Sequence, residues 1–410
     1  MVYIVGRNRI EDSDKKPVQI DVEEKLFHNS MRLFLIMCQI LGLFPINCST
    51  KYYTDVKFSW KSFRIVYTFF MIVIIAFAVF VCLYSWATYG YKFADAGTHT
   101  FYVASLLSIL LFLRLSKRWV KLLTTWCQMD KLMNRRYGYP STIEKRLKIC
   151  SVVFLTLVII DHLLSIYNRF CRVKESFGIN YNYKYFFIDT FPHLFMVVPA
   201  NVFTAVYCLF LNTHATLILA FNDLFIILVS VTLALRFRQI TEKLEKDFSK
   251  FHAKTEEFWM EIREDFDRLS SLCKELDNNI SYIILLSYTM NLFFLLMQLY
   301  LSLEVGSNTV GKVYFIFSFV YIIFKIVMVS LYAAWINDES LEPANILNSV
   351  SSSCYNIEVK RLLMQIGFDN VALTGCRLFK ITRGIILSIA GAVVTYELVL
   401  IQFNSATQGN

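Results

Sequence analysis

Residues able to do chemistry are few in this chain, and most of them interrupt long apolar stretches. Asp161-His162 breaks one such stretch, and Gln402 beside Phe403 closes the last. A carboxylate, imidazole or amide is costly in hydrocarbon unless it finds a partner or water, so each is a functional candidate. On the final stretch Gly384, Ser388, Gly391 and Thr395 fall at steps of four, three and four, forming one narrow face of small residues. Followed outward, the same face reaches Val399 and then Gln402, with Phe403 adjacent. Small residues alone suit close helix packing. A face that ends in an apolar ring and an amide also suits the wall of a water path, closed by dewetting. Glu397 projects from roughly the opposite side, where a hydrogen bond to a neighbouring helix is expected.

Hydrolytic metal chemistry has no foothold here. An intramembrane zinc site needs about three histidines near one depth with paired helical spacing. The last histidine is His252, and neither HxxxH nor HExxH occurs. The ten cysteines show no CxxC and read as small apolar fillers, with a Cys171–Cys208 bridge near the outer face as the one conceivable disulfide. No cofactor motif is present. A secondary transporter would show repeated halves or paired broken helices, and neither is visible.

The elements that must position these groups are membrane helices. The chain of 410 residues is 56% hydrophobic, with 37 Phe and 23 Tyr and only 18% charged residues. Seven apolar runs are long enough to cross about 30 Å of hydrocarbon: 63–87, 99–116, 148–168, 208–236, 281–304, 312–335 and 379–403. An eighth, 191–207, is broken by Pro192 and Pro199 and is expected as a bent outer extension of the fourth span. The 117–148 connection carries nine Lys and Arg, from Lys117 to Lys148, against Asp130 and Glu144, so the positive-inside rule makes it cytoplasmic. Alternation then sets the N-terminus inside and the C-terminus outside, the reverse of a G-protein-coupled receptor. The net charge of +9 is mostly inner-face Lys and Arg and reads as topology, with no nucleic-acid partner.

Two inner segments are too polar for lipid. Residues 237–280 repeat apolar positions at steps of mainly three and four (Ile240, Leu244, Phe248, Phe251 and onward), the pattern of amphipathic helices extending the fourth and fifth spans. Residues 341–377 supply a packing neighbour through Ile346, Val350, Val359, Leu362 and Ile366. The apolar stretch 29–45 is too short to span and is expected at the inner leaflet or packed under the bundle.

The closing string Thr395-Tyr396-Glu397-Leu398-Val399-Leu400-Ile401-Gln402-Phe403 resembles the signature that ends the last helix of insect gustatory receptors. Phe221-Asn222-Asp223-Leu224-Phe225, Arg236-Phe237-Arg238-Gln239-Ile240, Leu373-Thr374-Gly375, Thr382-Arg383 and Glu397 are similar to motifs of its sugar-receptor subfamily. The resemblance implies an all-α, seven-span, tetrameric, ligand-gated nonselective cation channel in the plasma membrane of sensory neurons. It implies a pore built from the last helix of each subunit, with Gln402 and Phe403 at the gate, Val399 one turn deeper and Thr395 on the pore face. A homotetramer and a heterotetramer with related subunits are both compatible with it, as is a subunit tuned to bitter or other small tastants.

No short motif marks the ligand pocket, so its residues come from chemistry. A sugar needs several paired donors and acceptors together with aromatic walls. In the outer half of the bundle these are Tyr102, Asp161, His162, Tyr207, Gln298, Glu304, Tyr314, Ser318 and Tyr321. Asp161-His162 is the sharpest pair, whereas Asn222 and Asp223 lie deeper and read as helix-packing groups. The expected organisation is an inner tail and interfacial helix at 1–62, spans one to four with the outer pocket at 63–236, and a cytoplasmic extension at 237–280. Spans five and six follow at 281–335, a cytoplasmic anchor at 336–378, the pore-lining span at 379–403 and an outer tail at 404–410.

Overall fold

The computed structural model describes residues 26–47, 52–90, 95–178, 182–302 and 309–408; of these, the side chains of 252–253, 302, 400–401 and 403–408 are left undescribed. Long apolar runs dictate helices, and six of those described are long and apolar enough to cross a membrane. They are α2 (Phe63–Tyr89), α3 (Ala96–Tyr137), α4 (Thr142–Phe177), α7 (Val202–Asp247), α8 (Glu256–Ser302) and α9 (Thr309–Leu341). Shorter helices join them: α1 (Phe27–Ile40), α5 (Tyr183–Thr190), α6 (Pro192–Phe195), α10 (Pro343–Asn348) and α11 (Ile357–Asp369). The last is α12 (Gly384–Gln408), whose described apolar part runs Gly384–Val399.

The helix faces follow from residue spacing. On α2 the buried residues Ile65, Thr68, Met71, Ile75, Ala78 and Cys82 recur at steps of three and four, while Phe63, Val66, Phe70, Val73 and Phe80 point outward. An outward face so apolar belongs against lipid tails. α7 is the hub, packed by α3, α4, α8 and α9. Of its most apolar stretch 89% is buried, against 17% for α4 at the periphery.

At 46 residues α7 measures about 69 Å along its axis, more than twice the hydrocarbon thickness. Its Asp247 end therefore projects beyond the hydrocarbon, as does the start of the 47-residue α8. The 237–280 segment is accordingly two helices continuous with the spans, joined by a tight 3-10 turn at Phe248–Ala253. α11 docks on this extension through Arg263–Glu358, Gln365–Asp267 and Lys274–Asp369 contacts of 2.5, 2.7 and 2.7 Å. The Glu358 carboxyl is held below its ordinary range, chiefly by the hydrogen bond from Arg263.

The 29–45 stretch forms α1 and packs against α3 and α7. Phe27 stacks on Trp126 at 3.8 Å and Phe34 on Phe221 at 5.3 Å. Its first backbone N–H donates to Asp130 Oδ2 at 2.7 Å. Its terminal carbonyls accept from Tyr67, His214 and Thr68 at 2.8, 3.0 and 2.9 Å, so neither end is left unsatisfied. Gly42 then reverses the chain at φ 69°, where a Cβ would press within 3.2 Å of Met71. Asp130 also binds Arg236 at 2.9 Å, with both side chains fully buried. Arg236 donates further to Gln239 and Asn134, each at 2.9 Å, which completes the network.

The 191–207 region is one helical turn, α6, followed by an irregular stretch and then the start of α7. Asn201 caps α7 reciprocally with Thr204: Thr204 N donates to Asn201 Oδ1 at 2.9 Å and Asn201 N donates to Thr204 Oγ1 at 3.1 Å. Cys171 and Cys208 are both free thiols.

Between α11 and α12 lies a two-stranded hairpin, β1 (Thr374–Gly375) with β2 (Phe379–Lys380). Asp277 of α8 grips it, accepting from Thr374 N at 2.6 Å and from its hydroxyl at 2.8 Å. The Phe379 ring lies directly over Gly375, where any Cβ would clash at 2.3 Å. Arg383 follows, bound to Asp338 of α9 at 2.7 Å. The chain thus enters α12 from a rigid mount.

Candidate ligand pocket and pore helix

The proposed pocket residues fall into two levels. At the outer level Tyr102 of α3 is buried edge-on against His193 of α6, with ring centroids 6.1 Å apart. Arg169, near the outer end of α4, donates to Thr190 O at 3.4 Å and stands in electrostatic range of Tyr314, Tyr102 and Asp189. His193 Nε2 and Thr190 Oγ1 are buried polar atoms without a hydrogen-bond partner. Two aromatic walls, a guanidinium and two open polar atoms are what a hydroxyl-rich ligand would use.

The deeper level lies eight residues down α4, about 12 Å away along the axis. There the Asp161 carboxyl has Ser318 of α9 as its hydrogen-bonding neighbour and Lys325 in electrostatic range, while its Oδ1 has no hydrogen-bond partner. Lys325 Nζ lies 3.8 Å from Asp223 Oδ2 on α7 and 5.2 Å from the Tyr321 ring centroid. Asp223 Oδ1 accepts from Ser287 Oγ and, at 3.1 Å, from Asn291 Nδ2 of α8. A fully buried carboxylate in lipid persists only with such partners.

Other proposed residues are turned elsewhere. His162 is spent between Thr213 and Thr216 of α7, at 2.9 and 3.3 Å. Tyr207 donates to Ile74 O of α2 at 3.2 Å, and Gln298 donates to Phe315 O of α9 at 3.4 Å. Glu304 lies outside the described residues. Sequence reasoning passed over Arg169 and Lys325. Arg169 follows the apolar run and reads as a loop residue, but Lys325 between Phe324 and Ile326 was a signal available in the sequence. A cavity of about 260 Å³ between α3 and α8, lined by Gln128, Arg268 and Glu275 among others, lies in the helical extension beyond the spans, far from both levels. Among the described residues no cluster of His, Cys, Asp or Glu could hold a metal ion.

The helix α12 is attached along one flank. Ile389 and Val393 pack against Leu295, Ile322 and Ile326 of α8 and α9. The face carrying Gly384, Ser388, Gly391 and Thr395 is exposed, and nothing lies within 4 Å of a Cβ built on Gly391. Ser388 and Thr395 hydroxyls bond back to Gly384 O and Gly391 O at 3.3 and 2.9 Å, leaving no polar demand on that face. Val399 and Gln402 are exposed too, and the Phe403 side chain lies outside those described.

A sequence family described as "Trehalose receptor" matches residues 11–409. The chain belongs to that family. Among curated relatives, this trehalose-receptor family member is 30% identical to the "Gustatory receptor for sugar taste 64f" of Drosophila melanogaster, over 97% of this chain and 85% of that one. It is 28% identical to the same insect's "Gustatory receptor 5a for trehalose", over 92% and 85%. Among solved structures, the olfactory receptor OR5 of Machilis hrabei in complex with eugenol superposes with a TM-score of 0.64. That match covers 92% of this chain and 99% of the other at 16% identity, and so speaks for the fold alone. Family membership sets the chain among chemoreceptors and removes the hydrolase alternative.

Proposed function

We propose that this receptor is a sugar-gated, nonselective cation channel of the plasma membrane. In this reading α12 is the seventh span, with the N-terminus inside and the C-terminus outside, and four subunits place their α12 helices around one pore. The observation that carries it is the unpartnered face of α12. A membrane helix held along one flank, with small and self-satisfied residues on the other, suits water and symmetry copies of itself better than lipid. Val399, Gln402 and Phe403 then close the path, with Thr395 deeper on the same face. Sugar enters between α3, α4, α6 and α9, where Tyr102, Tyr314 and Arg169 wall the outer level and Asp161, Ser318 and Tyr321 the floor. The ligand opens the gate only to the extent that it binds the open arrangement more tightly.

The test is whole-cell current from this chain expressed alone while mono- and disaccharides are applied. A rapid cation current to a few of them is the expected result. With surface expression confirmed, silence to every sugar tested would remove the self-sufficient sugar-gated channel.

A further inference from the structure

At the end of its apolar run α3 carries Arg114, Lys117, Arg118 and Lys121, with no acidic residue between them. All four are exposed on one arc of the helix, while Leu115, Trp119 and Leu122 on the opposite side are buried. Two of them are engaged by aromatic rings. Arg114 stands over Tyr282 of α8 at 4.9 Å, and Lys117 stands over Trp60, just ahead of α2, at 4.5 Å. The Arg118 and Lys121 side chains have no ion pair or hydrogen bond among the described residues. The positive-inside rule asks for cations at such a place, but not for their confinement to one arc beside a cavity.

The arc continues along α3 as a stripe. Arg114, Arg118, Lys121, Thr125, Gln128 and Leu132 follow at steps of four and three, so all share one face. α8 packs antiparallel against it, running from Arg268 through Ser271 and Glu275 to Tyr282. The cavity of about 260 Å³ opens between the two stripes, with Thr125 and Gln128 on one wall and Arg268, Ser271 and Glu275 on the other. Small-molecule sites start at about 300 Å³, so this one suits a headgroup and not a pair of acyl chains. Arg268 is held by Glu264 and Asp265 at 3.0 and 2.9 Å, which answers its charge and leaves it as a positioned N–H donor. The Glu275 carboxylate repels a bare phosphate ion but accepts from a ring hydroxyl.

Depth selects the ligand. The apolar run of α3 ends near residue 116, and Lys121 lies about 8 Å further along the axis, at the far edge of a headgroup layer about 5–8 Å thick. A serine headgroup stops at that depth. An inositol ring bearing its own phosphates projects past it, to the near end of the cavity at Thr125 and Glu275. We propose that this groove binds the headgroup of a polyphosphoinositide from the adjacent leaflet, with ring phosphates on Arg118 and Lys121 and ring hydroxyls on Thr125, Gln128, Ser271 and Glu275. Basic pockets between spans on the cytoplasmic side suit such headgroups. The site stands apart from the sugar pocket and takes from the channel reading only that this side is cytoplasmic.

The test titrates full-length receptor, purified in detergent, with short-chain lipids and reads displacement of a fluorescent short-chain phosphatidylinositol bisphosphate. Unlabelled phosphatidylinositol bisphosphate is expected to bind at least tenfold more tightly than phosphatidylserine. Parity between the two overturns the site and reduces the arc to general attraction of anions. The double variant Arg118→Gln/Lys121→Gln changes exposed side chains without partners, so Tm should hold while the bisphosphate binds at least tenfold more weakly. Ser271→Phe fills the cavity from an exposed position and should weaken the bisphosphate at least fivefold with phosphatidylserine binding unchanged. Unaltered bisphosphate affinity in either folded variant overturns the site. Inositol trisphosphate binding as tightly as the lipid overturns the membrane source and assigns the groove to a soluble headgroup. The comparison of lipids on the unmodified receptor decides even where a variant fails to fold. Neither sugar nor current enters the readout, so silence to sugars strikes the channel reading alone, and parity among lipids strikes this site alone.

Discussion

Two apolar helices of this receptor, α7 and α12, are treated in opposite ways. From Ala220 to Phe237 every residue of α7 is buried, on all sides, by α1, α3, α4, α8 and α9. α12 touches α8 and α9 along Ile389 and Val393 and leaves its other faces open. In lipid there is little hydrophobic drive between helices, so packing and polar pairing decide which helices hold together. α7 has both: aromatic stacks with α1, and charged or amide groups paired at Asp223, Arg236 and Gln239. α12 has neither beyond one flank. The two helices thus differ in how many of their faces are used up within one chain.

That contrast can be broken from the α7 side with the largest effect. Arg236→Met strands Asp130, whose other partners are the first N–H of α1 and little else, and is expected to cost about 3–5 kcal/mol. Loss of folded receptor, read by surface labelling and by Tm in detergent, checks it. Full retention of both would show that α7 is not the stabilising hub. On the α12 side, Gly391→Leu meets open space in the single chain, so Tm should stay within about 0.5 kcal/mol equivalent. Current should nonetheless fall at least tenfold, because the added side chain enters the pore or the contact with the next subunit. Normal currents from Gly391→Leu would mean that this face looks into lipid. Phe403→Ala probes the same helix at its end: a standing leak without sugar, several-fold over the unmodified receptor, is expected.

Smaller effects sharpen the comparison. Asp161→Asn keeps the size of a floor residue and removes its charge; the half-maximal sugar concentration should rise about fivefold at unchanged surface density. A normal dose response takes Asp161 out of the pocket. The weakest change lies where α11 docks on the α8 extension. The Glu358 carboxyl titrates below its unfolded value because Arg263, then Arg361, favour its charged form. Its contribution is present above the unfolded value of about 4.3 and is lost as pH falls through the lowered folded one. Glu358→Gln should therefore lower Tm slightly at pH 7, by less than about 1 kcal/mol, and the gap should narrow as pH falls below about 4.

How much of this was legible beforehand depends on the kind of signal. Runs such as 63–87 and 312–335 became α2 and α9 because length and apolarity alone require a spanning helix. The steps of three and four in 237–280 announced the extensions of α7 and α8 for the same reason. The docking of α1 was not readable, since an apolar stretch of its length says that it is buried but not by what; Asp130 and His214, which hold its two ends, are remote in sequence. The candidate pocket residues divide by what they contact. Tyr102, Asp161, Ser318 and Tyr321 do face polar neighbours, but His162, Tyr207 and Gln298 are spent on helix contacts that no spacing reveals. Lys325 lies inside the 312–335 run, but its partner Asp223 is on another helix, about a hundred residues away, and no spacing in the sequence pairs the two.

The length of α7 carries a mechanical consequence. A rod of about 69 Å runs from Val202, beside α6, to Asp247 in the helical extension without a break. A tilt of about 5° over that length displaces one end by roughly 6 Å relative to the other. One rigid element thus sets the geometry at both of its ends, the outer one near α6 and the far one where α8, α10 and α11 gather.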